Sequence, residues 1–274
     1  MPSQTLPRVK RKAIELIDSH AGFVYHIGEY VFLNLSALKL LFKTPPSLTL
    51  IFKQLYDVGV SSLPVVAITG LSSGLVLAAQ SFFQLADKGL ADVTGLVVSK
   101  AMMTELGPVL SAFMVTGRVG AAICAELGSM KVSEQIDALE SMAVSSLRYL
   151  ITPRLVAGIV MMPLLTLFGI VMGVIGGYIV AIYLFNMSPA SFFDPISASL
   201  TLFDFFTGIF KAFVFGFFIM SISCYKGLHT TGGAAGVGRS TTQSVVISYC
   251  CILLSNFFMT MGLNLIYRAF MRLS

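Results

Sequence analysis

Four ionisable side chains, Lys100, Glu105, Arg118 and Lys211, stand inside long apolar runs. At bilayer depth such a group is costly unless it is paired or faces a wet cavity. Charges kept there mark either a pathway for a polar substrate or ion, or ion pairs that hold helices together. Glu105 and Arg118 are thirteen residues apart, roughly 20 Å along one straight helix, so each needs a partner elsewhere. Bond-making chemistry has no comparable footing. No nucleophile and base can be paired, and the three histidines show no ligand spacing. Cys124, Cys224, Cys250 and Cys251 lie in or beside apolar runs, where a thiol behaves as a small apolar group. The stretch from Gly233 to Ser240 imitates a phosphate-binding loop, with Arg239 where Lys should stand. That loop needs a buried strand before it, and transmembrane segments flank this one, so nucleotide binding is rejected. Its glycines are expected to let a tight loop run beside the helix near 132–142, with Ser240 or Thr241 starting the last helix.

The elements that carry these charges follow from composition. The 274 residues are 56% apolar and 11% charged, against about 25% charged in a soluble domain. Apolar runs fall at about 58–84, 93–125, 155–185, 202–224 and 244–267, each long enough to cross a hydrocarbon core roughly 30 Å thick as a helix. No strand-like alternation supports a barrel. The expected fold is an all-α integral membrane protein, with an N-terminal interfacial helix, about five transmembrane helices and a short helix on the cytoplasmic side. Gly107 and Pro108 interrupt the second run, which is expected to tilt, kink or begin outside the bilayer.

Residues 1–55 read as a cytoplasmic or interfacial region and 56–274 as the membrane domain. Glu15, Asp18, His20, His26 and Glu29 break any apolar core of a signal peptide. Val31, Leu35, Leu38, Leu41 and Phe42 recur at helical spacing between Lys39, Lys43 and Lys53, which suits a helix in the membrane interface or a soluble cap helix. Pro45 and Pro46 are expected to end it. Basic residues set the orientation. With the N-terminus inside, Arg8, Lys10, Arg11, Lys12, Lys39, Lys43, Lys53, Lys131, Arg148, Arg154, Lys226 and Arg239 are cytoplasmic, and only Lys88, Arg268 and Arg272 lie outside. The loop from Asn186 to Thr201 has no basic residue and fits a short external segment. The C-terminus is therefore expected outside. The net charge of +5 is a topological signal; no basic cluster is interleaved with aromatics, so no nucleic acid is expected.

Between the second and third runs, residues 132–143 form an acidic, one-faced helix. Ser133 is expected to cap it and Glu134 to sit in its first turn. Ile136, Leu139, Met142 and Ala143 repeat at three- and four-residue spacing, with Glu134, Asp137 and Glu140 on the remaining surface. Such a helix either packs one face and solvates its acids, or receives force from a separate motor. Gly70 and Gly74, with Gly169, Gly173 and Gly177, form small-residue ridges that suit a dimer interface or an intrachain contact.

The sequence from ELGPV through TGRVGAAICAELGSMKVSEQIDALESMAV to RYLITPRLVAG closely resembles the MlaE or YrbE permeases of ABC transporters associated with MCE proteins. The resemblance covers about residues 50–265. It implies that Glu134, Gln135, Ile136, Asp137, Leu139 and Glu140 form the coupling helix that docks on the ATPase. It also places Glu105 and Leu106 of the ELGP motif, with Lys211, at a lipid cavity between two permease copies. Where relatives often have Asp-Pro this chain has Ser145 and Ser146, and where many carry Arg before the glutamate it has Thr104. The implied assembly is a homodimer with two copies of an ATPase that holds ATP and magnesium, an MCE-domain protein outside and, in some relatives, a STAS-domain protein inside. No cofactor is expected on this chain itself. The implied cargo is phospholipid or a related lipid at a Gram-negative inner membrane. An ion-coupled carrier or channel using the four intramembrane charges is the competing reading. A membrane-embedded enzyme is disfavoured because no catalytic or metal constellation assembles.

Overall fold

The computed structural model describes residue 25, residues 27–41, residue 43 and residues 47–271. The N-terminal basic cluster, Pro45 and Pro46 fall outside that set. Five helical stretches among the described residues are long and apolar enough to cross a membrane. The chain is an all-α membrane protein.

Helix α1 covers 27–41 and buries Leu33, Asn34 and Ala37, while Val31, Phe32 and Leu35 stay exposed. Of the stripe expected to meet the membrane, Val31 and Leu35 face outward, Leu38 and Leu41 are half-buried and Phe42 lies outside the described residues, while Leu33 and Ala37 pack into the core. Tyr30 bonds Ser221 and sets its ring edge-on to Tyr225. Helix α2, Leu48–Val58, leads through a tight turn at Val60–Ser62 into α3, Leu63–Ala86. A boundary drawn at residue 55 falls inside α2.

The second span is helical from Thr94 to Val132, as α4 (Thr94–Ala101), α5 (Gly107–Val115) and α6 (Ala121–Val132), joined by wide π turns at Met102–Leu106 and Thr116–Gly120. The first π turn has a cause in the sequence. Pro108 has no amide hydrogen to offer the Thr104 carbonyl four residues back, so the helix widens there and that carbonyl is left for another donor. The same logic applies at Pro153, which follows the wide turn Leu147–Ile151.

Helix α7 is Gln135–Ser141, followed by α8 (Thr152–Ile179), α9 (Pro189–Ser199), α10 (Leu202–Leu228) and α11 (Gly233–Met271). The segment read as a short external loop holds α9, whose Phe192 is fully buried with its carbonyl against Gly95. The glycines of residues 233–238 lie in the first turns of α11, which starts well before Ser240. Thr230, just ahead of them, packs on Gly128 of α6.

Glycine decides the packing of α3 on α8. A Cβ on Gly74 would sit 1.9 Å from the Gly173 carbonyl oxygen, and one on Gly70 would sit 2.6 Å from that of Gly169. The small-residue ridges therefore mate within one chain. The main apolar core runs between α6, α8 and α10 through Ile123, Leu127, Leu155, Met162, Phe215 and Ile219; a smaller cluster gathers Ala78, Val98, Met102 and Ile170. Helix α11 is the least embedded span, exposing Leu253, Leu254, Phe257, Phe258, Met261, Leu265 and Ile266.

Candidate functional site

Two of the four intramembrane charges, Glu105 of the second span and Lys211 of the fourth, meet at one place. Lys211 Nζ lies 2.7 Å from Glu105 Oε1. The lysine ammonium also donates to the freed Thr104 carbonyl at 3.0 Å and to the Thr260 hydroxyl at 2.7 Å. The π turn thus supplies part of the lysine's coordination, and α10 can come close enough because Gly208 lies one turn earlier. A Cβ there would fall 2.1 Å from the Met103 carbonyl oxygen.

Helix α11 completes the cluster. Asn256 Nδ2 donates to Glu105 Oε2 at 2.9 Å. The single proton of Thr260 goes either to Glu105 Oε1 at 2.9 Å or to the Asn256 carbonyl at 2.8 Å. The result is asymmetric: Lys211 is 0% exposed, whereas the Glu105 side chain keeps 36% exposure. Of the two side chains, that of Glu105 is the one a ligand or water can reach, and the lysine neutralises it from behind. Counting along α4 from Thr94 and along α10 from Leu202, the pair lies roughly 15 Å into the bundle at 1.5 Å per residue.

Sequence reasoning singled out Glu105 and Lys211 but not Asn256 or Thr260. Those two are four residues apart on the face of α11 toward the pair, a polar i, i+4 step in an apolar helix that could have drawn notice. Leu106 does not join the polar group; it packs half-buried against the smaller apolar cluster. Lys100 is separate, 3.6 Å from Asp204, which closes a capping box with Thr201 at the start of α10. Arg118 is separate too, bonded to Ser62 Oγ at 2.9 Å.

At the other end of the bundle, α7 projects an acidic surface. Ile136 is buried and Leu139 half-buried, while Glu134, Gln135, Asp137 and Glu140 are exposed. Two expectations fail. Ser133 does not cap α7: its hydroxyl donates back to the Ser129 carbonyl at 2.8 Å, so it closes α6 instead. Glu134 is not in the first turn but holds the hinge before it in the left-handed region, φ 58°. The buried face is also shorter than its repeat promised, because Ala143 turns the chain at φ 58° and leaves Met142 67% exposed. Ser145 then starts the third span, its carbonyl accepting from Tyr149 N at 3.1 Å, and Ser146 Oγ ties back to Glu140 Oε1 at 2.7 Å. Lys131 fixes the near side of α7 through Asp137 at 2.8 Å.

An acidic helix slung between two spans, and a charged cluster deep among five spans, are features of a transport subunit, and comparison supplies the family. The profile described as Permease MlaE matches residues 51–262. The chain belongs to the MlaE permease family. It is an ABC transporter permease, a transport component. A probable ABC transporter permease protein of Rickettsia typhi is 43% identical over 246 residues, 89% of this chain and 95% of the relative. The intermembrane phospholipid transport system permease protein MlaE of Haemophilus influenzae is 34% identical over 212 residues, 77% of this chain and 81% of that one. The chloroplastic protein trigalactosyldiacylglycerol 1 of Arabidopsis thaliana is 37% identical over 205 residues, 75% of this permease and 59% of its own length.

Proposed function

We propose that this permease moves phospholipid through a passage that includes the Glu105, Lys211, Asn256 and Thr260 cluster, driven by an ATPase docked on α7. The observation that carries the reading is the asymmetry of the ion pair: a carboxylate left partly open in mid-bundle, backed by a fully buried ammonium. A pair serving only to join helices gains nothing from that opening. In this reading the exposed carboxylate and the Asn256 amide meet the polar headgroup, and the apolar surfaces around them meet the acyl chains.

The named function of the Haemophilus relative supports phospholipid as cargo. The working unit is a homodimer with two ATPase copies that bind ATP and magnesium; an MCE-domain protein receives or delivers lipid outside, and a STAS-domain protein can sit inside. The exposed acids of α7, Glu134, Asp137 and Glu140, with Gln135 beside them, face the ATPase, and Ile136 and Leu139 anchor the helix to the permease. The basic-residue bias supports a topology with α7 and the N-terminus in the cytoplasm and the C-terminus in the periplasm of an inner-membrane protein.

Reversing charge with Glu134→Lys and Asp137→Lys tests the coupling. Both side chains are exposed, and the Lys131–Asp137 bridge is a surface pair worth about 0–1 kcal/mol, so insertion and folding should survive. Tandem purification of the double variant should recover the permease with the ATPase lost and lipid-stimulated turnover abolished. Normal ATPase recovery and turnover would remove α7 from the coupling role.

A further inference from the structure

Two adjoining hollows lie at the α7 end of the bundle, between α2 and the turn that follows it, the Thr116–Gly120 turn with α6, and the start of the third span. The larger, about 450 Å³, is lined in part by Lys53, Gln54, Asp57, Arg118 and Glu126. The smaller, about 190 Å³, shares Lys53, Gln54 and Glu126 and adds Tyr149 and Arg154. They are remote from Glu105, since Arg118 lies thirteen residues further along the same span, roughly 20 Å at 1.5 Å per residue.

Three cations face two carboxylates here, and the cations are under-used. Arg154 is 3% exposed, and its Nη2 meets Glu126 Oε2 at 2.9 Å. Its Nε and Nη1 have no partner among the described residues. Among the described residues Arg118 donates once, to Ser62 Oγ, and Lys53 has no hydrogen-bond or ion-pair partner. A buried guanidinium with unmet donors is costly, and its planar fork fits phosphate or carboxylate oxygens. The Glu126 carboxylate already shows where anionic oxygens rest against Arg154.

The neighbouring surface identifies what carries the anion. Leu48, Phe52 and Tyr56 follow one another at four-residue steps along α2, all exposed, and their row runs beside Lys53 and Asp57. A helix with an apolar stripe next to a basic edge is built to lie at the boundary of headgroups and acyl chains. We propose that this hollow is a second lipid site, taking the phosphate of a glycerophospholipid headgroup on Lys53, Arg118 and Arg154 while the acyl chains lie along Leu48, Phe52 and Tyr56. Asp57, which also lines the larger hollow, would meet the ammonium of a zwitterionic headgroup. The site stands apart from the Glu105–Lys211 cluster and holds whether or not that cluster handles lipid.

The test is native mass spectrometry of the full-length permease, with its copurifying subunits, titrated with phosphatidylglycerol in wild-type and Lys211→Met backgrounds. Lys53→Gln, an exposed change that leaves folding intact, should weaken one phosphatidylglycerol site about fivefold, the size of one interfacial lysine contact. Adding Arg118→Gln should weaken it tenfold or more, and both losses should be the same in either background. Dioleoylglycerol, which has no phosphate, should not occupy the site, and equimolar inorganic phosphate should not displace the lipid. Unchanged affinity in Lys53→Gln and in the double variant, equal binding of dioleoylglycerol, or displacement by equimolar phosphate would each overturn the proposal, the last by making it a site for free phosphate. A loss that vanishes in Lys211→Met would show that only the central cluster had been measured.

Discussion

Glu105→Leu and Lys211→Met, made singly and together, should differ sharply in cost although they remove two ends of one ion pair. Glu105→Leu strands an ammonium that is 0% exposed, leaving it only the Thr104 carbonyl and the Thr260 hydroxyl. Breaking a buried pair from one side costs about 3–5 kcal/mol. Lys211→Met leaves Glu105 with the Asn256 and Thr260 donors and a side chain 36% exposed. Its loss is that of one charge-assisted hydrogen bond, about 1.5–3 kcal/mol, at the low end because solvent or headgroups screen the carboxylate. The double variant strands no buried charge and should recover at least about 1 kcal/mol relative to Glu105→Leu, within the coupling range of contacting residues. Reversible unfolding in mixed micelles, followed by circular dichroism, measures all three. If Lys211→Met proves as damaging as Glu105→Leu, or the double variant is no better than Glu105→Leu, the asymmetry argument is wrong and the carboxylate is not the open end of the pair.

Two further outcomes follow from the packing and the basic-residue bias. Gly74→Ala places a methyl 1.9 Å from the Gly173 carbonyl oxygen and should destabilise by about 1–3 kcal/mol as α3 and α8 are forced apart; Gly262→Ala, with nothing within 4 Å, should be neutral or stabilising by up to about 1 kcal/mol, both read in the same unfolding assay. Single cysteines at Ser133 and Ser191, in a background without the native four, should label from opposite faces of the membrane with an impermeant maleimide. Labelling from the same face would sink the five-span topology.

Hydrophobic run length was enough to read an all-α membrane protein with five spans, because crossing a bilayer imposes a length and a composition on each segment by itself. The family was legible as well, since the EQIDALE segment and its flanks are local strings of residues. Even the π turn at Met102–Leu106 has a local cause in Pro108. What the sequence left open depended on contacts between distant segments. Glu105 and Lys211 are 106 residues apart, and nothing along the chain shows that the carbonyl freed by Pro108 and two side chains of α11 would converge on that lysine. The glycine ridges could have served a dimer or a single chain until α3 and α8 met backbone to backbone. Helix α7 was readable in position but not in its ends, because Ser133 bonded backward into α6 and two left-handed residues, Glu134 and Ala143, cut the apolar repeat to Ile136 and Leu139. Periodicity counts residues along an axis; where that axis starts, stops and turns is set by what the neighbouring helices leave room for.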